Sequence, residues 1–131
     1  MTRTDTRTQI TGVGTIGVPV TDQGRSLAFY AEKLGFETRL DAPFGEGQRW
    51  IEVAPPGSAT TIALAQARDG FPSGVDTGLR LSTNDAAADH AALRERGVEV
   101  DPEIIPYPVP MFTFRDPDGN RLYIVERPAE I

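Results

Sequence analysis

The chain has no cysteine and only one histidine, His90. The first absence removes disulfides, thiolate nucleophiles and thiolate zinc sites. The second removes any site built on two or three histidines of one chain. Basic residues are also short, 13 Lys and Arg against 19 Asp and Glu, for a formal net charge of -6. A nucleic-acid binder needs a basic face to neutralise phosphates, so that class is excluded as a partner. No apolar run approaches the ~20 residues that span a bilayer. The opening Met1 to Gln9 is polar and lacks the apolar segment of a secretory leader, which makes the cytoplasm the expected compartment. Residues 1–11 read as a loose tail.

What is present is an ordinary globular composition, 131 residues with 39% hydrophobic and 24% charged. That length suits one domain, here residues 12–131. Ile16, Val18 and Val20 alternate along a half-buried strand. Pro19 cannot donate to a ladder, so this strand belongs at a sheet edge or carries a break. Asp22 caps a helix through Ser26 to Leu34, with Leu27, Tyr30, Ala31 and Leu34 on one stripe and Gly35 as its stop. Strand-like runs follow at 36–40, 48–54 and 60–66. Turn signals part them at Gly45-Glu46-Gly47 and Pro55-Pro56-Gly57-Ser58.

Residues 67–76 read as a linker, after which the order recurs. Leu79 to Ser82 is a strand. Asn84 or Asp85 caps a helix over 86–96, and Gly97 stops it. Strands at 98–100, 111–114 and 122–125 complete the set. Asp22 to Asn84 and Gly35 to Gly97 are each 62 residues apart. This predicts two copies of strand-helix-strand-strand-strand, with module one at 12–66 and module two at 77–127.

Val18-Pro19-Val20-Thr21-Asp22, Ser26-Leu27-Ala28-Phe29-Tyr30 and Leu34-Gly35-Phe36 resemble the opening of the vicinal oxygen chelate superfamily. Phe112-Thr113-Phe114-Arg115-Asp116-Pro117-Asp118-Gly119-Asn120-Arg121-Leu122 is similar to that family's closing hairpin. The family includes glyoxalase I, extradiol dioxygenases and the fosfomycin- and bleomycin-resistance proteins. The resemblance implies an α+β fold of two βαβββ modules whose curved mixed sheets enclose a cleft, often completed in a homodimer. It also implies a divalent metal on four strand positions bearing His, Glu or Gln. Those positions correspond here to Thr15, Ala63, Gly78 (or Leu79) and Tyr123, none of them a usual ligand. The expectation is therefore that no metal and no cofactor is held.

Strand alternation turns Thr15, Gly17, Pro19, Trp50, Glu52, Arg80, Ser82, Arg121, Tyr123 and Val125 toward the cleft. The expected ligand-binding residues are Trp50, Glu52, Arg80, Tyr123, Tyr107 and Thr15. Trp50 fits either as core filling or as a stacking platform with an N–H donor. Glu52 and Arg80 fit either a structural ion pair or ligand contacts. Tyr123 fits either a donor to a ligand oxygen or a plug where the metal would sit. Tyr107, in a proline-rich stretch at 102–110 that the resemblance brings to the cleft mouth, and Met111 just beyond it are candidate ligand contacts, and 45–47 is a candidate lid. The expected function is metal-free binding or sequestration of a small organic molecule, as in bleomycin-resistance proteins. The alternative is a glyoxalase- or dioxygenase-type enzyme, for which Glu52 with Tyr123 or Arg80 is the one nameable proton-transfer pair.

Overall fold

The computed structural model describes residues 7–127. The tail expected at 1–11 lies largely outside them. The order is β1 (Thr15–Val20), α1 (Gln23–Ala28), β2 (Glu37–Pro43), β3 (Arg49–Ala54), β4 (Thr61–Gln66), then β5 (Asp76–Thr83), α2 (Ala86–Glu95), β6 (Glu99–Val100), β7 (Met111–Arg115) and β8 (Arg121–Glu126). The strands form two four-stranded sheets in the orders β1-β4-β3-β2 and β5-β8-β7-β6. In each, the first strand runs parallel to the last and the remaining pairs are antiparallel. These are two βαβββ modules. β1 is an edge strand, as its proline requires. No helix among the described residues is long and apolar enough to cross a membrane.

The helix ends follow their chemistry. Asp22 accepts from the Arg25 N–H at 3.0 Å, and Asp85 accepts from the Ala88 N–H at 3.0 Å. Asp85 rather than Asn84 is thus the second cap, and the cap-to-cap offset is 63 (85 − 22) against 62 (97 − 35) for the stops. Gly35 and Gly97 take left-handed φ of 75° and 80°, which reverses the chain after each helix. The first helix departs from its sequence pattern. Beyond Ala28 it widens into a π-helical turn over Phe29–Lys33. Phe29 packs near Phe114 (6.3 Å between ring centroids), and the Tyr30 hydroxyl donates to Asp116 at 2.9 Å. Two successive residues thus both engage the second module, which a 3.6-residue stripe does not anticipate.

One continuous core joins the modules. Val18, Val20, Tyr30, Ile51, Val53 and Leu64 of the first meet Leu93, Phe112, Phe114, Leu122 and Ile124 of the second. A polar seam runs beside it. Asp118 accepts from the Thr21 N–H, the Thr21 and Ser26 hydroxyls and Arg25. Asn120 donates to the Pro19 carbonyl at 2.7 Å. Three orientations differ from simple alternation. Pro19 is buried under this seam instead of facing a cleft, and Val125 is buried at 6% exposure. Ile16 stays 39% exposed, at the end of β1 away from the buried Val18–Val20 run.

Candidate functional site

The expected site residues fall into two clusters, one on each sheet. On the first, the Trp50 indole N–H donates to Glu52 at 2.8 Å, and the Thr61 hydroxyl donates to the other Glu52 oxygen at 2.7 Å. Both carboxylate oxygens are therefore occupied, and the indole N–H is spent within the protein. The Trp50 ring packs at a tilt against Phe44, with 5.5 Å between ring centroids. Thr15 is exposed, and its hydroxyl donates to the Thr61 carbonyl at 3.2 Å.

On the second sheet, Arg80 and Tyr123 are register partners, and the guanidinium lies 4.3 Å from the phenol ring centroid. The Tyr123 hydroxyl donates to Asp76 at 2.8 Å. That bond lowers the Asp76 pKa most, followed by the Gly78 N–H and the charges of Arg121 and Arg80. Tyr107 stands apart at 83% exposure, on a loop pinned at its base by Ile105 and Met111. Glu52 shares no hydrogen bond with Arg80 or Tyr123, so the proton-transfer pair named from sequence is not assembled.

The four family metal positions do not suit an ion. Ala63 and Gly78 carry no donor side chain, the Thr15 hydroxyl is bonded to backbone, and Tyr123 is turned onto Asp76. Among the described residues, no three His, Asp or Glu side chains group to hold one. Glu52 does pair in register with Ala63, but it stands alone there and each of its oxygens already accepts a hydrogen bond, from Trp50 and from Thr61. His90 is buried on α2 against Phe112, its Nε2 2.7 Å from the Asp101 carbonyl. Glu126, at the end of β8, accepts from the Ala86 N–H at the start of α2.

The structure adds residues that the sequence reading missed. Gln23 is buried beneath the first sheet and wedges between β3 and β4. Its amide donates to the Arg49 and Leu64 carbonyls and accepts from the Arg49 N–H. The strands are spread there. Above the gap lies a hollow of about 310 Å³ lined by Phe44, Gln48, Trp50, Ala65 and Arg68 among others. In the linker, Arg68 and Phe71 form a tight antiparallel bridge. The Phe71 ring lies over Gly17, where an added Cβ would meet its Cζ at 3.3 Å. The two are 54 residues apart (71 − 17), so no local pattern in the sequence signals the contact. A second hollow of about 430 Å³ lies between the modules, with Ile16, Thr61 and Ile62 on one side and Leu79, Arg80 and Ser82 on the other. Apolar walls with few converging polar groups are the usual build of a small-molecule site.

The chain is similar to several solved structures over nearly its whole length. TnmS3, an antibiotic binding protein from Streptomyces sp. CB03234, is 38% identical with a TM-score of 0.82, covering 93% of this chain and 100% of that one. A member of the glyoxalase/bleomycin resistance protein/dioxygenase superfamily from Sphaerobacter thermophilus DSM 20745 is 36% identical with a TM-score of 0.83, covering 92% and 100%. YetH of Bacillus subtilis (strain 168) is 28% identical over 123 residues, 87% of this chain and 97% of that protein. The model of the Glyoxalase/Bleomycin resistance protein/Dioxygenase superfamily matches residues 12–124, and the chain belongs to that superfamily.

Proposed function

We propose that this protein binds and sequesters a small organic molecule without metal or cofactor, as a cytoplasmic homodimer. The observation that carries the reading is the hollow beside Trp50, lined by Ala65, Ala67 and the Trp50 and Phe44 rings, whose centroids lie 5.5 Å apart. The indole N–H and Glu52 satisfy each other, so the half-buried Trp50 ring offers apolar area at no cost in unpaired charge. Similarity to an antibiotic binding protein supports the same reading. So does the donor-free character of Ala63 and Gly78, which leaves no side-chain ligand for an ion at either position. A homodimer accords with four open sheet edges, β1, β2, β5 and β6, and with Ile16 and Leu40 exposed on strands.

The test uses Trp50 as the only tryptophan. Its fluorescence is titrated with flat aromatic antibiotics, cationic glycopeptide drugs and small carboxylates, alongside native mass spectrometry of protein incubated with cell extract. Saturable quenching or a spectral shift with at least one class, and a retained organic adduct, are expected. Silence across all classes, with no adduct in the mass spectrum, would refute binding at this face.

A further inference from the structure

The lining of the hollow beside Trp50 carries an uneven charge. Its cations are Arg49 and Arg68. Arg49 is committed, with its guanidinium on both oxygens of Asp41 at 3.1 and 2.7 Å. Arg68 has no carboxylate partner among the described residues. Its guanidinium lies 4.9 Å from the Phe71 ring centroid, and its backbone is bonded to Phe71 in both directions. Phe71 in turn rests on Gly17. The side chain is thus held by stacking while the donor edge of its fork stays free for a planar two-oxygen group. The other polar side chains of the lining are neutral amides, Gln48 and Gln66, and Gln66 already donates to the Thr21 carbonyl.

We infer that this hollow takes a flat aromatic acid, its ring on the Trp50–Phe44 pair and its carboxylate on the guanidinium of Arg68, which Phe71 and the bare backbone of Gly17 hold in position. The inference rests on the proposed binding function and narrows it to one class of ligand. A volume of about 310 Å³ is at the small end for ligand pockets, which suits two or three fused rings and excludes a glycopeptide. The net charge of -6 opposes an anion at long range. Screening removes most of that beyond ~8 Å in physiological salt, and inside that distance Arg68 dominates.

The experiment compares 2-naphthoate, 2-naphthamide and 2-naphthylmethylammonium, three probes of one shape and different charge, by Trp50 fluorescence and calorimetry. Naphthoate is expected to bind about 10- to 100-fold more tightly than the amide, the size of hydrogen bonds to a charged group. Arg68→Gln should erase that preference and leave the amide unchanged. Gly17→Val, which displaces Phe71, should weaken naphthoate selectively. Arg68 is exposed, so Arg68→Gln should fold as wild type does, checked by near-UV circular dichroism. Equal binding of acid and amide, tightest binding of the ammonium, or an equal loss of both ligands in Arg68→Gln would overturn the inference and leave the binding function standing. If no naphthalene probe binds but an antibiotic still quenches Trp50, the inference alone falls. If nothing binds, both fall.

Discussion

Asn120 offers the sharpest test of how the two modules are joined. Its side chain is fully buried and makes four hydrogen bonds. The amide donates to the Pro19 carbonyl at 2.7 Å and to Asp116 at 3.0 Å, and its oxygen accepts from the N–H groups of Gly74 at 2.8 Å and Val75 at 3.1 Å. Module one, the linker and module two therefore meet at one residue. Asn120→Ala strands those partners unequally. The Pro19 carbonyl is buried and loses its donor, a loss of ~1–3 kcal/mol. Gly74 is exposed and Val75 half-buried, so water recovers part of theirs. Asp116 keeps the Tyr30 hydroxyl. The sum is about 3 kcal/mol, or a fall in Tm of roughly 10 °C for a domain of this size. Asn120→Asp sharpens the case. It sets a carboxylate oxygen against Asp116 and the Pro19 carbonyl in place of a donor. The introduced acid then has a folded pKa raised above its unfolded value of ~3.9. Its deficit against wild type should be smallest near pH 4 and widen as pH rises through the raised pKa, because only the protonated form donates. Urea denaturation of the three proteins at several pH values measures this. A loss below ~1 kcal/mol in Asn120→Ala, or a pH-independent deficit in Asn120→Asp, would show that the seam does not hold the modules together.

Tyr30→Phe should destabilise by ~1.5–3 kcal/mol in chemical denaturation, since it removes a buried bond to the Asp116 carboxylate. Burial first, then the charge of Asp116, raises the Tyr30 pKa well above its usual value. The stability this gives is full below the unfolded pKa of ~10 and is lost as pH rises beyond it, so Tyr30 should ionise only as the protein unfolds, read by absorbance at alkaline pH. Burial would raise the Asp101 pKa, but bonds from the Thr113 N–H and hydroxyl and from Arg115 outweigh it, and the net shift is downward. Its stabilising effect is present above the unfolded pKa of ~3.9 and lost as pH falls toward the lower folded value. The stability gap between wild type and Asp101→Asn should therefore shrink in urea melts taken from pH 6 down to pH 3. Glu52→Gln should shift the Trp50 emission, because a neutral amide oxygen replaces the carboxylate that holds the indole N–H.

The parts legible in sequence were those that local chemistry decides. Strand alternation, the Asp22 cap, the Gly35 and Gly97 stops and the turn residues each act within a few positions, so they named the elements and their repeated order. The family motifs then pointed to two βαβββ modules, and the donor-free residues at Ala63 and Gly78 were readable as plain residue types. Tertiary structure decided the rest. Alternation alone turned Pro19 and Val125 to the cleft, but contacts from the other module buried Pro19, and Val125 lies buried as well. The sequence offered Trp50 as an N–H donor, yet the residue two places on accepts that hydrogen bond. Gln23 reads as an ordinary first-turn residue, and only the packed sheet shows it holding β3 and β4 apart. Phe71 reaches Gly17, and Arg68 reaches the hollow beside Trp50, only once the linker folds back across β1. A residue's type and period are set by its neighbours in the chain. Which group receives its hydrogen bond, and which face it covers, depends on segments tens of residues away that meet only in the folded molecule.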